Sequence, residues 1–315
     1  MSFSGKVKEE LRNAISTSRH CQIAEISAII EFCGSFKKND RGELIIRVQT
    51  ENAAVARKYF TLLKKTFNIY SSVLVRQNMK QSKSLIYVID IEKPREVQPV
   101  LQALKIMKQG VIAIPEVLVT DDLLIKNSCC RRTFLRGAYL CVGSMSDPEK
   151  SYHLEFVCMS QKQARQLTNT LNEFMLDAKI VLRKKYYVVY IKEGSHIVDL
   201  LNIMEAHVAL MELENLRILK EMRNSINRRV NCEAANITKT VNAASKQSED
   251  IIYIRDHYGF GNLPSNLWEI AEVRLENQEA SLKELGEMLD PPVGKSGVNH
   301  RLRKLSELAD RLRMQ

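Results

Sequence analysis

The sequence predicts an α+β chain in which two pseudo-symmetric α/β repeats form a saddle and an all-α helix-turn-helix domain follows. Three observations predict it. The chain resembles itself at a fixed offset: Gly34 and Ser35 match Gly143 and Ser144, Ala56 and Arg57 match Ala164 and Arg165, and Leu63 matches Leu171, all 108 or 109 residues apart. Within each repeat, a run of period two lies between runs of helical spacing. Towards the end, two short helical patterns flank the breaker Asp290, Pro291 and Pro292.

The elements follow in order. MSFSGKVKEELRN is a polar helix start, and AEISAIIEFCGSF is a helix that stops at a glycine. ELIIRVQT alternates, with Leu44, Ile46 and Val48 on one face, so it is a half-buried strand. Residues 51–66 place Val55, Tyr59, Leu62 and Leu63 at helical spacing, and VLVRQ and SLIYVIDI make a hairpin. The second repeat runs through RTFLRGAYLCVGSM, then HLEFVC with Leu154, Phe156 and Cys158 inward. Residues 160–175 follow with Ala164, Leu167, Leu171 and Phe174, then KIVLRK and YYVVYIK. Each repeat therefore reads helix, strand, helix, hairpin, helix. Neither has an evident core of its own, and the small residues Ser27, Ala28, Gly137 and Ala138 let the two opening helices approach closely. The domain division expected is 1–110 and 111–206 for the repeats, 207–226 for a connector helix and 227–315 for the helix-turn-helix domain.

HVALMELENLRILKEMRNSINRRVN reads as one long helix with a basic, amide-rich end carrying Arg228 and Arg229. In SLKELGEMLDPPVGKSGVNHRLRKLSELADRL, Leu282, Leu285 and Leu289 mark a short helix whose Gly286 permits close packing. Ser296 is an N-cap for the next helix. There Val298, Leu302, Leu305, Ala309 and Leu312 form the buried stripe, so Ser296, His300, Arg303 and Lys304 project outward with Asn299 at the margin. Together with Lys295 and Arg301, these side chains suit base edges and phosphates in a major groove. The expected partner is double-stranded DNA. An ordinary helical hairpin in a protein-binding domain is the alternative.

Composition agrees with an anionic partner. The 315 residues carry a formal net charge of +10, and residues 1–206 hold 31 Lys and Arg against 21 Asp and Glu, while residues 207–315 hold 16 of each. No window of about 18 apolar residues and no apolar leader occur, so neither a membrane span nor a secretory signal is expected, and the cytoplasm, at the nucleoid, is the expected location. The seven cysteines are odd in number and form no C-x-x-C pair, and Cys129 and Cys130 are adjacent. They are expected to be reduced, mostly buried small hydrophobes. No metal site, no cofactor and no small-molecule substrate are expected.

The paired helices ending at Gly34 and Gly143 resemble those of LAGLIDADG homing endonucleases, over roughly residues 20–206. In that family the acidic residue just before the terminal glycine holds the catalytic metal, because hard divalent cations need oxygen ligands. Here those positions are Cys33 and Val142, so neither helix presents a carboxylate. Glu31 lies two residues earlier, about 200° around the helix, and points away. The expectation is a non-enzyme, with residual metal-dependent cleavage as a remote alternative. An uncovered sheet face bearing Arg47, Gln49 and Glu155, with Arg76, Lys80, Lys83, Arg183, Lys184 and Lys185 around the hairpins, suits phosphate contact. Ile45 and Val157 on the same face suit a protein partner equally well.

A degenerate LAGLIDADG pair followed by a helix-turn-helix is similar to the WhiA family of bacterial DNA-binding regulators. The resemblance is carried by LKEMRNSINRRVNCEAANITKTVNAASKQ, LPSNLWEIAEVRL, SLKELGEMLDPPVGKSGVNHRLRKL and SDPEKSYHLEF and extends over essentially the whole chain. It implies a transcription factor acting in sporulation, cell division and chromosome segregation of Gram-positive bacteria. It also implies a C-terminal domain similar to the promoter-binding part of sigma factors. RNA polymerase or another transcription factor is then a further expected partner, and a scaffold that recruits polymerase or a division factor is the competing reading.

Overall fold

The computed structural model describes residues 1–77, 84–108, 111–112 and 115–314. Lys80 and Lys83 lie outside the described residues. The chain divides into two compact units, Met1–Leu219 and Lys220–Gln315.

In the first unit, α1 (Phe3–Asn13) precedes the first repeat: α2 (Arg19–Cys33), β1 (Gly34–Lys38), β2 (Leu44–Thr50), α3 (Ala53–Phe67), β3 (Val73–Gln77), β4 (Leu85–Ile91) and α4 (Pro94–Ala103). The short strands β5 (Met107–Lys108) and β6 (Val111–Ile112) follow. The second repeat is α5 (Ser128–Val142), β7 (Gly143–Met145), β8 (Leu154–Cys158), α6 (Gln161–Asn172), β9 (Lys179–Arg183), β10 (Tyr186–Ile191) and α7 (Gly194–Ile203). The two sheets have the same antiparallel order, β1-β2-β4-β3 and β7-β8-β10-β9. The expected strand parity holds: Ile46, Val48, Leu154, Phe156 and Cys158 are buried, as are Val55, Tyr59, Leu62 and Leu63 of α3 and Ala164, Leu167 and Leu171 of α6.

One expected element order needs correction. Each repeat opens with a helix and a hairpin, because the chain leaving each helix forms a strand, pairing Gly34 with Val48 and Gly143 with Phe156. These strands are only five and three residues long and half exposed, so they carry no alternation a sequence pattern could report.

The helices α2 and α5 run side by side in the same sense along their whole length. Their starts meet through Cys21 and Cys130, their middles through Ala28 and Gly137, and their ends through Cys33 and Cys141. A Cβ on Gly137 would lie 2.9 Å from the Ala28 Cβ and from the Glu25 carbonyl oxygen, so this crossing needs glycine. Beside it sits a buried ionic cluster. The Glu25 carboxylate, fully buried, accepts from Arg136 Nε and Nη2 at 2.9 and 3.1 Å and pairs with Lys58 Nζ at 3.0 Å. Arg136 Nη1 reaches Glu205 at 2.5 Å, and Lys58 also donates to the carbonyls of Leu11 and Ala14. Lys58 of the first repeat and Arg136 of the second thus share one carboxylate, and each also reaches a segment flanking the repeats.

Next, α8 (His207–His257) is a single 51-residue helix. The helix thus continues past residue 226, where the terminal domain was expected to begin. Glu10 accepts from the backbone N–H of Val208 and Ala209 at 2.7 and 3.0 Å, satisfying donors that a helix start leaves free. From residue 221 to 243 the helix is exposed on every side. Its middle is amide-rich, and Met222, Ile226, Val230, Ile237 and Val241, at helical spacing, stay exposed there.

In the second unit, the last turns of α8 pack with α9 (Ser265–Glu276), α10 (Leu282–Glu287) and α11 (Lys295–Arg313) around Ile251, Ile254, Ile270, Leu285, Val298, Leu302 and Leu305. Ser281 and Glu284 close a reciprocal capping box on α10. Arg274 is 2% exposed and donates to Gln247 Oε1 at 2.9 and 3.1 Å and to the Ala280 carbonyl at 2.8 Å, which fixes the α9–α10 loop on α8. Gly286 behaves as expected: a Cβ there would lie 2.0 Å from the Val293 carbonyl oxygen, which itself belongs to the turn into α11. Replacing Gly286 with Ala is expected to destabilise the second unit by about 1–3 kcal/mol through overpacking, read from urea unfolding of the full chain. An unchanged midpoint would contradict this close approach.

Candidate nucleic-acid interface

The position that matches the metal-binding acid of LAGLIDADG homing endonucleases lies where α2 and α5 end. Gly34 and Gly143 cap the two helices, their N–H groups donating to the Ile30 and Tyr139 carbonyls. Cys33 meets the Cys141 thiol rather than Val142, with the Lys8 ammonium of α1 near both. A hydrogen bond from Cys141, against burial and with help from Lys8, draws the Cys33 thiol below its ordinary range, whereas burial pushes the Cys141 thiol well up. Burial lowers the Lys8 pKa, and its nitrogen also lies 5.9 Å from the Tyr139 ring centroid. Two thiols and a cation do not fit a hard divalent metal, which needs several oxygen donors. Glu31 does not supply one. Its carboxylate accepts from the Thr120 backbone N–H at 2.9 Å, and its own carbonyl accepts from Gln163. Burial raises its pKa to about 7.

The sheet-side candidates differ from one another. Arg47 is held in a two-pronged pair with Asp90, at 2.7 and 2.5 Å, and is already neutralised. Arg183 reaches Glu155 at 3.3 Å. Lys185 sits over the Tyr186 ring, and Lys184 occupies the left-handed turn between β9 and β10, at φ 57°. Arg76 is exposed on β3. Both β3 and β9 are outer strands of their sheets and fully exposed, and they show Val73, Leu74, Val75, Val181 and Leu182 beside these cations.

On α8, Arg228 and Arg229 are exposed. On α11, Val298, Leu302, Leu305 and Ala309 are buried, and Lys295, Ser296, Asn299, His300, Arg303 and Lys304 are exposed on the remaining face. One expectation is corrected. Gly294, not Ser296, is the N-cap, and it makes no side-chain cap, so the first N–H groups of α11 lie open at an exposed helix start. Serine chemistry marks a helix start only to within a residue or two. Arg301 is half-buried and turned to α9, 3.4 Å from the Asn266 carbonyl and 3.7 Å from Glu269. Arg303 pairs with Glu307 at 2.9 Å, both exposed. Such a surface pair is worth little and exchanges readily for a phosphate.

Residues missed by pattern reading are those whose partners are distant in sequence: Lys8, Cys141, Arg274, and a His20, Cys21, Cys129 and Cys130 cluster. Only the offset of the repeat hinted at the last of these.

Comparison with known proteins agrees along the chain. The family models described as the WhiA N-terminal LAGLIDADG-like domain, the WhiA LAGLIDADG-like domain and the WhiA C-terminal HTH domain match residues 19–107, 131–223 and 226–309. A protein of Lachnoclostridium phytofermentans named "Probable cell division protein WhiA" is 56% identical over 99% of this chain and 100% of its own length. One of Alkaliphilus oremlandii with the same name is 50% identical over 99% of this chain and 98% of its own. The crystal structure of full-length WhiA from Thermatoga maritima matches with a TM-score of 0.59 and 25% identity, covering 99% of each chain. With paired LAGLIDADG-like repeats and a terminal helix-turn-helix domain, the chain belongs to the WhiA family.

Proposed function

We propose that this protein is a non-enzymatic, sequence-specific DNA-binding regulator of cell division, chromosome segregation and sporulation that works in the cytoplasm at the nucleoid. One observation carries the reading: α11 buries its apolar stripe and leaves Lys295, Ser296, Asn299, His300, Arg303 and Lys304 exposed on one face. Arginine, lysine and asparagine read base edges, and the uncapped start of α11 suits a phosphate. The names of the relatives support the division process. The thiol and ammonium set at the old metal position supports binding without cleavage. Residues 227–315 are taken as the reading domain. Arg228 and Arg229, together with Arg76, Lys184 and Lys185, add backbone contacts, and Arg47, Arg183 and Arg301 contribute less because each already has a carboxylate.

The double substitution Arg303→Ala and Lys304→Ala is expected to weaken binding to a duplex selected from a random pool by roughly 1–3 kcal/mol per base-reading side chain lost. The salt slope should fall by about one for each phosphate contact removed. Unchanged affinity and slope would overturn the assignment. The exposed apolar strands β3 and β9 favour a second role, in which the repeat unit recruits RNA polymerase or another transcription factor. Tight partner binding without affinity for any duplex would put that role first.

A further inference from the structure

At the ends of α2 and α5 opposite Gly34 and Gly143, four chemically related side chains converge. His20 and Cys21 come from the first turn of α2, and Cys129 and Cys130 from the first turn of α5. The imidazole nitrogen and the three sulfurs all lie within 4.8 Å of one another. His20 Nδ1 is 3.1 Å from Cys130 Sγ and 3.4 Å from Cys21 Sγ.

The internal repeat relates the two pairs. His20 to Cys129 and Cys21 to Cys130 are each 109 residues apart, the offset that also relates Gly34 to Gly143. Neighbouring residues on a helix point about 100° apart, so neither pair closes a chelate by itself. The set forms only because the two helices start side by side. Spacing rules applied to one segment at a time could not find it.

Three sulfurs and one imidazole make a borderline-soft donor set, and four protein ligands leave no open position. A tetrahedral zinc ion with bonds of about 2.3 Å to sulfur and 2.0–2.1 Å to nitrogen separates its ligand atoms by roughly 3.5–3.8 Å. The observed spread needs only side-chain adjustments of about an ångström to reach that. Cys21 and Cys130 are each 3% exposed, while His20 and Cys129 are exposed, so one side of the set is dry and the other admits an ion.

We propose that His20, Cys21, Cys129 and Cys130 form a structural zinc site that clamps the starts of the two repeat helices together. On binding, the zinc ion displaces the thiol protons to solvent, and no electron changes hands. The ion then ties the two repeats together at one end of the helix pair, as the shared Glu25 does further along.

The test uses the full chain, purified under reducing conditions, stripped with a chelator and titrated with zinc against a chromophoric competitor. One zinc per chain is expected. Cobalt in its place should give the absorption of a tetrahedral thiolate site, and zinc should raise the unfolding midpoint of the first unit. Cys129→Ser and His20→Asn alter exposed ligands, so they should leave the metal-free midpoint unchanged while weakening zinc binding by at least about tenfold. Three results would overturn the site. They are no stoichiometric zinc, zinc binding that survives both substitutions, or a Cys21–Cys130 disulfide in the reduced preparation with no metal affinity.

Discussion

Glu25→Gln is expected to destabilise the first unit by about 3–5 kcal/mol, because it removes the charge that compensates two buried cations. Glu25 and Lys58 are fully buried and Arg136 is 1% exposed, so water cannot replace the lost partner. Burial already draws the Lys58 ammonium down to about 8, against the attraction of Glu25. Only Glu205, half exposed, would remain to balance Arg136 and Lys58. Combining Glu25→Gln with Lys58→Met removes one charge of each sign and leaves Arg136 with Glu205. That double variant should therefore be more stable than Glu25→Gln alone, by roughly 1 kcal/mol or more. Urea unfolding of the four proteins of this cycle measures the coupling. A single-variant loss below about 1 kcal/mol would mean that the cluster does not hold the repeats together.

Glu31 sets the second large effect, and it depends on pH. Its carboxyl is 5% exposed, accepts one hydrogen bond from Thr120, and has its other oxygen buried without a partner. Burial, only partly offset by the Thr120 bonds, raises its pKa from 4.5 to about 7. A raised folded-state value means that the protonated form is the one the fold prefers. The associated stability is fully present below pH 4.5, declines as the unfolded chain ionises, and is gone once pH passes about 7. Two and a half pH units at 1.36 kcal/mol each make about 3 kcal/mol. Gln in place of Glu31 keeps the acceptor for Thr120 and cannot ionise. The difference in unfolding free energy between Glu31→Gln and the parent should therefore move by about 2.5 kcal/mol in favour of the variant between pH 5 and pH 8. A difference that stays constant with pH would show that Glu31 is solvated. The carboxylate is held by the Thr120 backbone N–H.

Much of this is readable in the amino-acid sequence. Leu44, Ile46 and Val48, and Val298, Leu302 and Leu305, faced the core as their periods required, because period reports which face is buried. The Gly286 contact was readable for a similar reason, since a glycine within a short apolar helix beside a breaker marks close backbone approach. Period does not report the partner of an exposed or half-buried polar group. Arg47 and Arg301, expected at a nucleic-acid surface, have the carboxylates of Asp90 and Glu269 as neighbours. Ser296 was expected to cap a helix that Gly294 caps instead. Local chemistry permits each of these alternatives at almost equal free energy, and contacts from other elements choose among them.

The sequence by itself determined the two repeats, the absence of a carboxylate at Cys33 and Val142, and the basic outer face of the last helix. Each of these is a matter of residue identity at a periodic or repeated position, and hydrophobic burial then fixes which way the residue faces. Only the tertiary structure decided that Cys33 meets Cys141 and Lys8, that Glu25 is shared by Lys58 and Arg136, and that His20, Cys21, Cys129 and Cys130 converge. Those contacts depend on how two helices 109 residues apart lie against each other. The close approach at Ala28 and Gly137 sets that relation, and no pattern within either helix specifies it.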